Sequence, residues 1–295
     1  MNTDKPLSLS GVGPSSVRLP PGTWTTLLDF LDVRFPEVGR ATWGARMDEG
    51  KVLDTTGTPL GREALYVGET LVHYYREIVD EPHIPFDETV LHRDEHLLVA
   101  DKPHFLPVIP SGRFVRETLL VRLRQHYTIE SLVPIHRIDR GTAGVVIFSC
   151  NAATRDAYQA LFRRREIHKL YEALAPISDT LSLPLVHRSR LVPGEPFFRM
   201  REVPGIANSE THIDIQQRLG VHALYKLQPV TGRKHQLRVH MAALGCPIVN
   251  DDFYPQLRAA IGEDYSRPLK LLARAVRFRD PLSGQERYFE SSRTL

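Results

Sequence analysis

A chain of 295 residues, 42% hydrophobic and 25% charged, has the composition of a globular protein long enough to bury a core without disulfides or structural metals. No apolar run approaches the ~20 residues that span a membrane, the N-terminus lacks a charged-then-apolar leader pattern, and two distant cysteines, Cys150 and Cys246, make no disulfide framework. Net charge is +3 but unevenly spread: residues 1–85 hold 8 Lys and Arg against 12 Asp and Glu, net −4, and the remainder is net +7, a balance that suits a polyanionic partner.

Residues 1–20 are rich in Ser, Pro and Gly without periodicity, and are expected to be a disordered lead-in. Residues 21–82 read as a small α+β module. TWTTLLDFLDVRF places Trp24, Leu27, Leu28, Leu31 and Phe35 at helical spacing, with Thr23 as the N-cap. The strand-like pieces KVLDTT and ALYVGETLVHYY follow, punctuated by Gly50, Gly57, Gly61 and Gly68. Pro82 and Pro85 then mark a linker, and residues 86–295 form the larger unit. Within it VLHRDEHLLVADKP reads as a hairpin turning at Asp94 and Glu95. GVVIFS and HALYKLQPV read as strands, and NAATRDAYQALFRRR and RKHQLRVHMAALG as helices.

Three constellations carry chemistry. In HRIDRGTAGVVIFS, residues 136–149, Asp139 sits between Arg137 and Arg140 on a glycine-containing loop that leads into a strand. Cationic neighbours favour the ionised form of a carboxylate, the form a nucleophile needs, although a plain loop salt bridge has the same spacing. In RRREIHKLYEALAP, residues 163–176, three arginines, His168 and Lys169 run up to Tyr171. Basic residues beside an aromatic suit a surface that grips a phosphate backbone and stacks a base, and equally a solvated helix end followed by a strand. In VTGRKHQLRVHMAALGCPIVNDDFY, residues 230–254, Leu237, Met241 and Leu244 share a helical face and Gly245 caps it. Arg238 beside that stripe suits an ion-pair partner or phosphate clamp, or a solvated basic position on a surface helix. His235 and His240 lie five residues apart without a completing Cys or carboxylate cluster, so a metal site is not expected there.

Together and in this order, these segments resemble the RluA-type pseudouridine synthases over about residues 86–290. His136-Arg137-Ile138-Asp139 with Thr142 and Gly144 is similar to that family's catalytic-aspartate motif. Lys169-Leu170-Tyr171 resembles its tyrosine segment. Thr231-Gly232-Arg233 through His240, with Gly245, Pro247, Asp251 and Tyr254, resembles its long third motif, and Ala100 to Pro103 the segment before the catalytic loop. The resemblance implies an α+β pseudouridine synthase fold with a mixed, largely antiparallel sheet and a central cleft. It implies isomerisation of uridine in structured RNA, ribosomal RNA first and transfer RNA second, by a cytoplasmic monomer without metal or organic cofactor. Asp139 would be the covalent catalyst, Tyr171 would stack on the target base, and Arg238 would pair with Asp139. Arg137, Arg140, Thr142, Lys169, Arg233, His235, Gln236 and Leu271 would complete the substrate site. Residues 21–82 more loosely resemble the ribosomal-protein-type RNA-binding module that often precedes this domain. The chain departs from the pattern at Ala143, common as Ser; at Phe105 and Ile109, where Gly and His are common; at Asn250, usually Gly; and at Arg274, in a stretch where Leu-His-Ala is typical. An RNA-binding or assembly factor without catalysis would need no Asp139, and a carboxylate glycosidase would need a second positioned carboxylate.

Overall fold

The computed structural model describes residues 12–76, 81–178, 181–258 and 264–295. Most of the expected lead-in, residues 1–11, lies outside them. The chain divides into two compact units. One is built from the chain up to Pro82 with Pro110–Arg116 and Val121–Glu130, the other from His83–Ile109, Glu117–Leu120 and Ser131–Leu295.

The first unit holds β1 (Ser15–Arg18), α1 (Leu27–Arg34), α2 (Arg40–Asp48), β2 (Val52–Leu53) and β3 (Leu71–Tyr74). Its antiparallel sheet runs β1-β3-β2. Residues 15–18, read from composition as lead-in, are therefore an edge strand, followed by a buried Leu19. The helix starts three residues later than Thr23 suggested. Thr26 is the N-cap, because only there does a carboxylate stand at the third helical position. Asp29 N–H donates to Thr26 Oγ1 at 3.1 Å, and Asp29 Oδ2 accepts from Thr26 N–H at 3.0 Å. Leu27, Leu31, Trp43, Val52 and Val72 form the core of this unit.

In the second unit β4 (Thr89–Arg93) and β5 (Leu97–Lys102) form the expected hairpin, with Asp94 closing its turn by accepting from His96 and Leu97 N–H. After α3 (Leu119–Tyr127), most of which belongs to the first unit, this unit carries β6 (Val133–Pro134), β7 (Ala143–Ser149), α4 (Arg155–Arg163), β8 (His168–Pro176), β9 (Leu185–Pro193), β10 (Met200–Val203), β11 (Ser209–Leu219) and β12 (His222–Pro229). After them come α5 (Gln236–Ala243), β13 (Leu271–Arg279) and β14 (Glu286–Glu290). The strands make one 11-stranded sheet of order β10-β9-β11-β12-β8-β13-β7-β5-β4, with β14 on β13 and β6 on β7. Every pairing is antiparallel except β13 with β7.

Patterning explains these elements. β12 alternates, burying Ala223, Tyr225 and Leu227 under α5, whose Leu237 and Met241 join the same cluster. β7 is buried along its whole length, as a central strand should be, and α4 covers it with Tyr158 and Leu161. The parallel join of β13 to β7 requires Gly144. Its φ is +110°, and a Cβ there would lie 2.2 Å from the Ala273 carbonyl oxygen. Because β7, β13 and β8 are neighbours, the loop before β7, the start of β13 and the middle of β8 come to one place. Leu272 pairs with Ala143, and Leu271 with Ala173. No helix among the described residues is long and apolar enough to cross a membrane.

Candidate active site

The loop from His136 to Thr142 is held from beneath. Asp139 carbonyl accepts from Thr142 N–H at 3.1 Å, closing a turn. Lys102, at the end of β5, is fully buried. Its Nζ donates to the carbonyls of Pro103 (2.8 Å), Leu106 (2.7 Å) and Arg140 (3.1 Å). Burial drives its pKa well below the usual lysine value, against the attraction of Asp139. Arg140 Nε donates to Phe105 carbonyl at 2.9 Å, and His104 Nδ1 to Gly141 carbonyl at 2.7 Å. His136 does not face outward. Its Nε2 accepts from Ile147 N–H at 3.1 Å, its ring stacks on Phe162, and burial, helped by Lys169, lowers its pKa to about 3.

Arg238 comes to this loop from α5. Its Nη1 lies 3.2 Å from Asp139 Oδ2, while Nε and Nη2 bond both oxygens of Asp251 at 2.8 and 2.7 Å. The guanidinium also lies over the rings of Phe253 (4.7 Å) and Tyr254 (5.4 Å). Its side chain is 7% exposed, and that of Asp251 1%. Burial disfavours the charge, but the Asp251 bonds and the two carboxylates raise the Arg238 pKa above the ordinary value. Asp139, at 26% exposure, keeps an open side. His235 Nε2 stands 3.9 Å from Asp139 Oδ1, with Nδ1 2.9 Å from the Tyr254 hydroxyl. Burial holds His235 neutral, with a pKa of about 4, despite Asp139. It does not lie in the helix as the spacing suggested. It sits at φ +55° just before α5, and that left-handed turn aims its ring back at Asp139.

Tyr171 projects from the middle of β8, where burial and then the nearby Asp139 charge raise its pKa, so the phenol stays protonated. A neutral ring suits stacking and hydrogen bonding better than proton abstraction. Leu271 is buried in the cluster beneath it. Lys169 donates from Nζ to Thr231 carbonyl at 3.1 Å, and burial, then Arg165, lowers its pKa to about 8. Arg163, Arg164 and Arg165 are exposed nearby in sequence, as is Arg137 on the Asp139 loop.

Other residues read as substrate-binding are differently engaged. Gln236 is buried with all its amide groups satisfied. Nε2 donates to Glu210 carbonyl and Thr211 Oγ1, and Oε1 accepts from Thr231 Oγ1 and Arg233 N–H. It fixes the turn before α5. Arg233 is exposed and donates from Nε to Asn208 carbonyl at 3.1 Å. Thr142 is buried. His240 points away from His235, to a trio with His187 and Glu202. Each member of that trio has a protein partner: His187 and Glu202 lie 2.8 Å apart, and His240 Nε2 is 3.0 Å from Ser209 Oγ. Two of the departures become intelligible. Asn250 adopts φ +63°, which Asn tolerates. Arg274 bonds Glu172 on β8 at 2.6 Å and the carbonyls of Ser291 and Arg293. Sequence reasoning gave no role to Asp251, Lys102 or Tyr254. The first and third stood inside the long third motif and Lys102 inside the Ala100 to Pro103 segment, which were the available signals.

An ionic carboxylate–guanidinium pair with one open side, beside a neutral phenol and buried leucine, can engage a sugar carbon while holding a flat base. Residues 96–243 match the family described as RNA pseudouridylate synthase. An uncharacterised RNA pseudouridine synthase of Synechocystis is 31% identical over 233 residues, spanning 77% of this chain and 79% of its own. The dual-specificity RNA pseudouridine synthase RluA of Vibrio vulnificus is 34% identical over 215 residues, 68% of this chain and 81% of its own. The solved structure of the human protein RNA pseudouridylate synthase domain containing 1 shares the fold, with a TM-score of 0.57 at 22% identity, covering 72% of this chain and 86% of that one.

Proposed function

This chain belongs to the RNA pseudouridylate synthase family and is an RNA-modifying isomerase; from that premise we propose that Asp139 is its covalent catalyst and ribosomal RNA its substrate. The observation that carries the reading is the Asp139–Arg238 pair at 3.2 Å, which leaves the carboxylate partly open. Isomerisation breaks the bond from base nitrogen to ribose and remakes it to a ring carbon. A carboxylate that traps or stabilises the sugar lets the base turn in a closed pocket. Reaching the bond requires extruding the nucleotide. Tyr171 stacks on the extruded base, Leu271 lies beneath, and Arg238 orients Asp139. Arg137, with Arg163, Arg164 and Arg165, grips the phosphates around it.

The alternative substrate is transfer RNA; that more than one RNA class is open to such a fold is supported by a relative named a dual-specificity RNA pseudouridine synthase. Residues 21–82 are proposed to bind RNA as well, supported by their likeness to a ribosomal-protein-type module. The compartment proposed is the cytoplasm, where free thiols such as Cys150 and Cys246 stay reduced.

Carbodiimide treatment and primer extension across ribosomal and transfer RNA test the reading, in cells with the gene, without it, and with Asp139→Asn. Expected is at least one ribosomal stop that disappears with the gene and is not restored by the variant. Restoration by Asp139→Asn would remove the catalytic role, and stops lost only from transfer RNA would move the substrate.

A further inference from the structure

Phe105 follows His104 in the segment that braces the catalytic loop, and its φ is +67°. A bulky residue is rarely held in this left-handed region, where glycine is at ease. Its ring is not dispersed into the core. It stacks on Phe86 (centroids 5.9 Å, 25° between planes) and meets Tyr265 edge-on (5.1 Å, 70°), and Phe86 and Tyr265 meet edge-on in turn at 5.4 Å. All three rings are partly exposed.

The trio is tied to the loop that carries Asp139. Phe105 carbonyl accepts from Arg140 Nε, and the side chain of neighbouring His104 bonds Gly141 carbonyl, so residues 104 and 105 are fastened to the two residues after Asp139. Lys270 and Arg293 stand close enough to act on neighbouring His104, whose pKa is lowered first by burial, but Arg293 is held by Asp101, and the carboxylates Asp87 and Asp264 flank Phe86 and Tyr265 in sequence. Three gathered aromatic side chains, half-exposed, offer an unpaired nucleotide a flat apolar surface on which its base can stack.

We propose that Phe86, Phe105 and Tyr265 form a nucleobase-stacking site for an unpaired nucleotide flanking the target uridine. The site holds the strand while the uridine enters beside Asp139, and so contributes to the choice of RNA. It rests on the reading that Asp139 acts on an extruded uridine.

The strained backbone separates this role from mere packing. Phe105→Gly removes both the ring and the strain. Its Tm should equal or exceed that of the parent, while its affinity for a fluorescein-labelled oligouridine of about twelve nucleotides, read by anisotropy, falls about tenfold. Phe105→Trp should keep that affinity within about twofold. On an unmodified RNA carrying the target uridine KM should rise in Phe105→Gly with kcat little changed. Wild-type affinity in Phe105→Gly overturns the proposal, as does an affinity loss that accompanies a lowered Tm or that Phe105→Trp does not restore. The oligonucleotide measurement needs no turnover. A ribosomal map that fails while affinity still depends on Phe105 would sink the substrate reading and leave this site standing.

Discussion

Asp251 touches no atom proposed to react, yet it decides where Arg238 points. It takes two of the guanidinium's donor positions at 2.8 and 2.7 Å and leaves Nη1 for Asp139. Asp251→Asn would let Arg238 turn about its long axis and slip the Asp139 oxygens out of place. A displacement of about 1 Å costs on the order of 100-fold in rate, so kcat should fall about that much in single-turnover assays, with KM within about twofold. Loss of a partner for a buried charge should also lower unfolding stability by about 3 kcal/mol. An unchanged kcat would show that the Phe253 and Tyr254 rings alone orient Arg238. The Asp139–Arg238 pair was legible through the motif resemblance. The Asp251 buttress was not, because it depends on the loop after α5 turning back on the helix, which spacing does not reveal.

At the level of elements, periodicity and turn residues made β12, α4 and the β4–β5 hairpin legible, since their signals are local. Gly144 was legible as a motif glycine at the head of the strand GVVIFS, but not as the point where another strand comes close. In the structure it lies within β7 and permits the parallel approach of β13, a contact between segments far apart in sequence. That approach sets the start of β13, with Leu271, beside the loop that carries Asp139. Gly144→Ala would drive a methyl to within 2.2 Å of a backbone carbonyl. A backbone atom in a central sheet cannot give way cheaply, so a stability loss of about 3 kcal/mol is expected, read as a lowered denaturant midpoint. A midpoint equal to the parent's would mean that β13 can shift without cost. The two helix starts were misplaced for physical reasons. Thr26 outcompetes Thr23 because Asp29 completes its cap, and His235 sits in a left-handed turn that helical periodicity cannot show.

Across the whole molecule, His104, His136, His235 and His240 are shielded from water. Burial lowers their pKa values from 6.5 to about 4, 3, 4 and 3. The unfolded chain therefore binds protons that the folded chain refuses. Their contribution to stability is full above about pH 6.5 and is lost as pH falls through 4. Tm measured at constant ionic strength should drop steadily from pH 6.5 to 4, and His136→Phe should flatten part of that slope. A Tm independent of pH over this window would contradict the burial of these rings. By itself the sequence determined the reaction family and the α+β class, and singled out Asp139, Tyr171 and Arg238 as the proposed site, because these reside in ordered motifs and local periodicity. Only the tertiary structure decided that Gln236 and Thr142 turn inward, that Asp251 steers Arg238, and that Phe86, Phe105 and Tyr265 meet. Each depends on which distant backbone segments pair, and long-range pairing leaves no periodic trace along the chain.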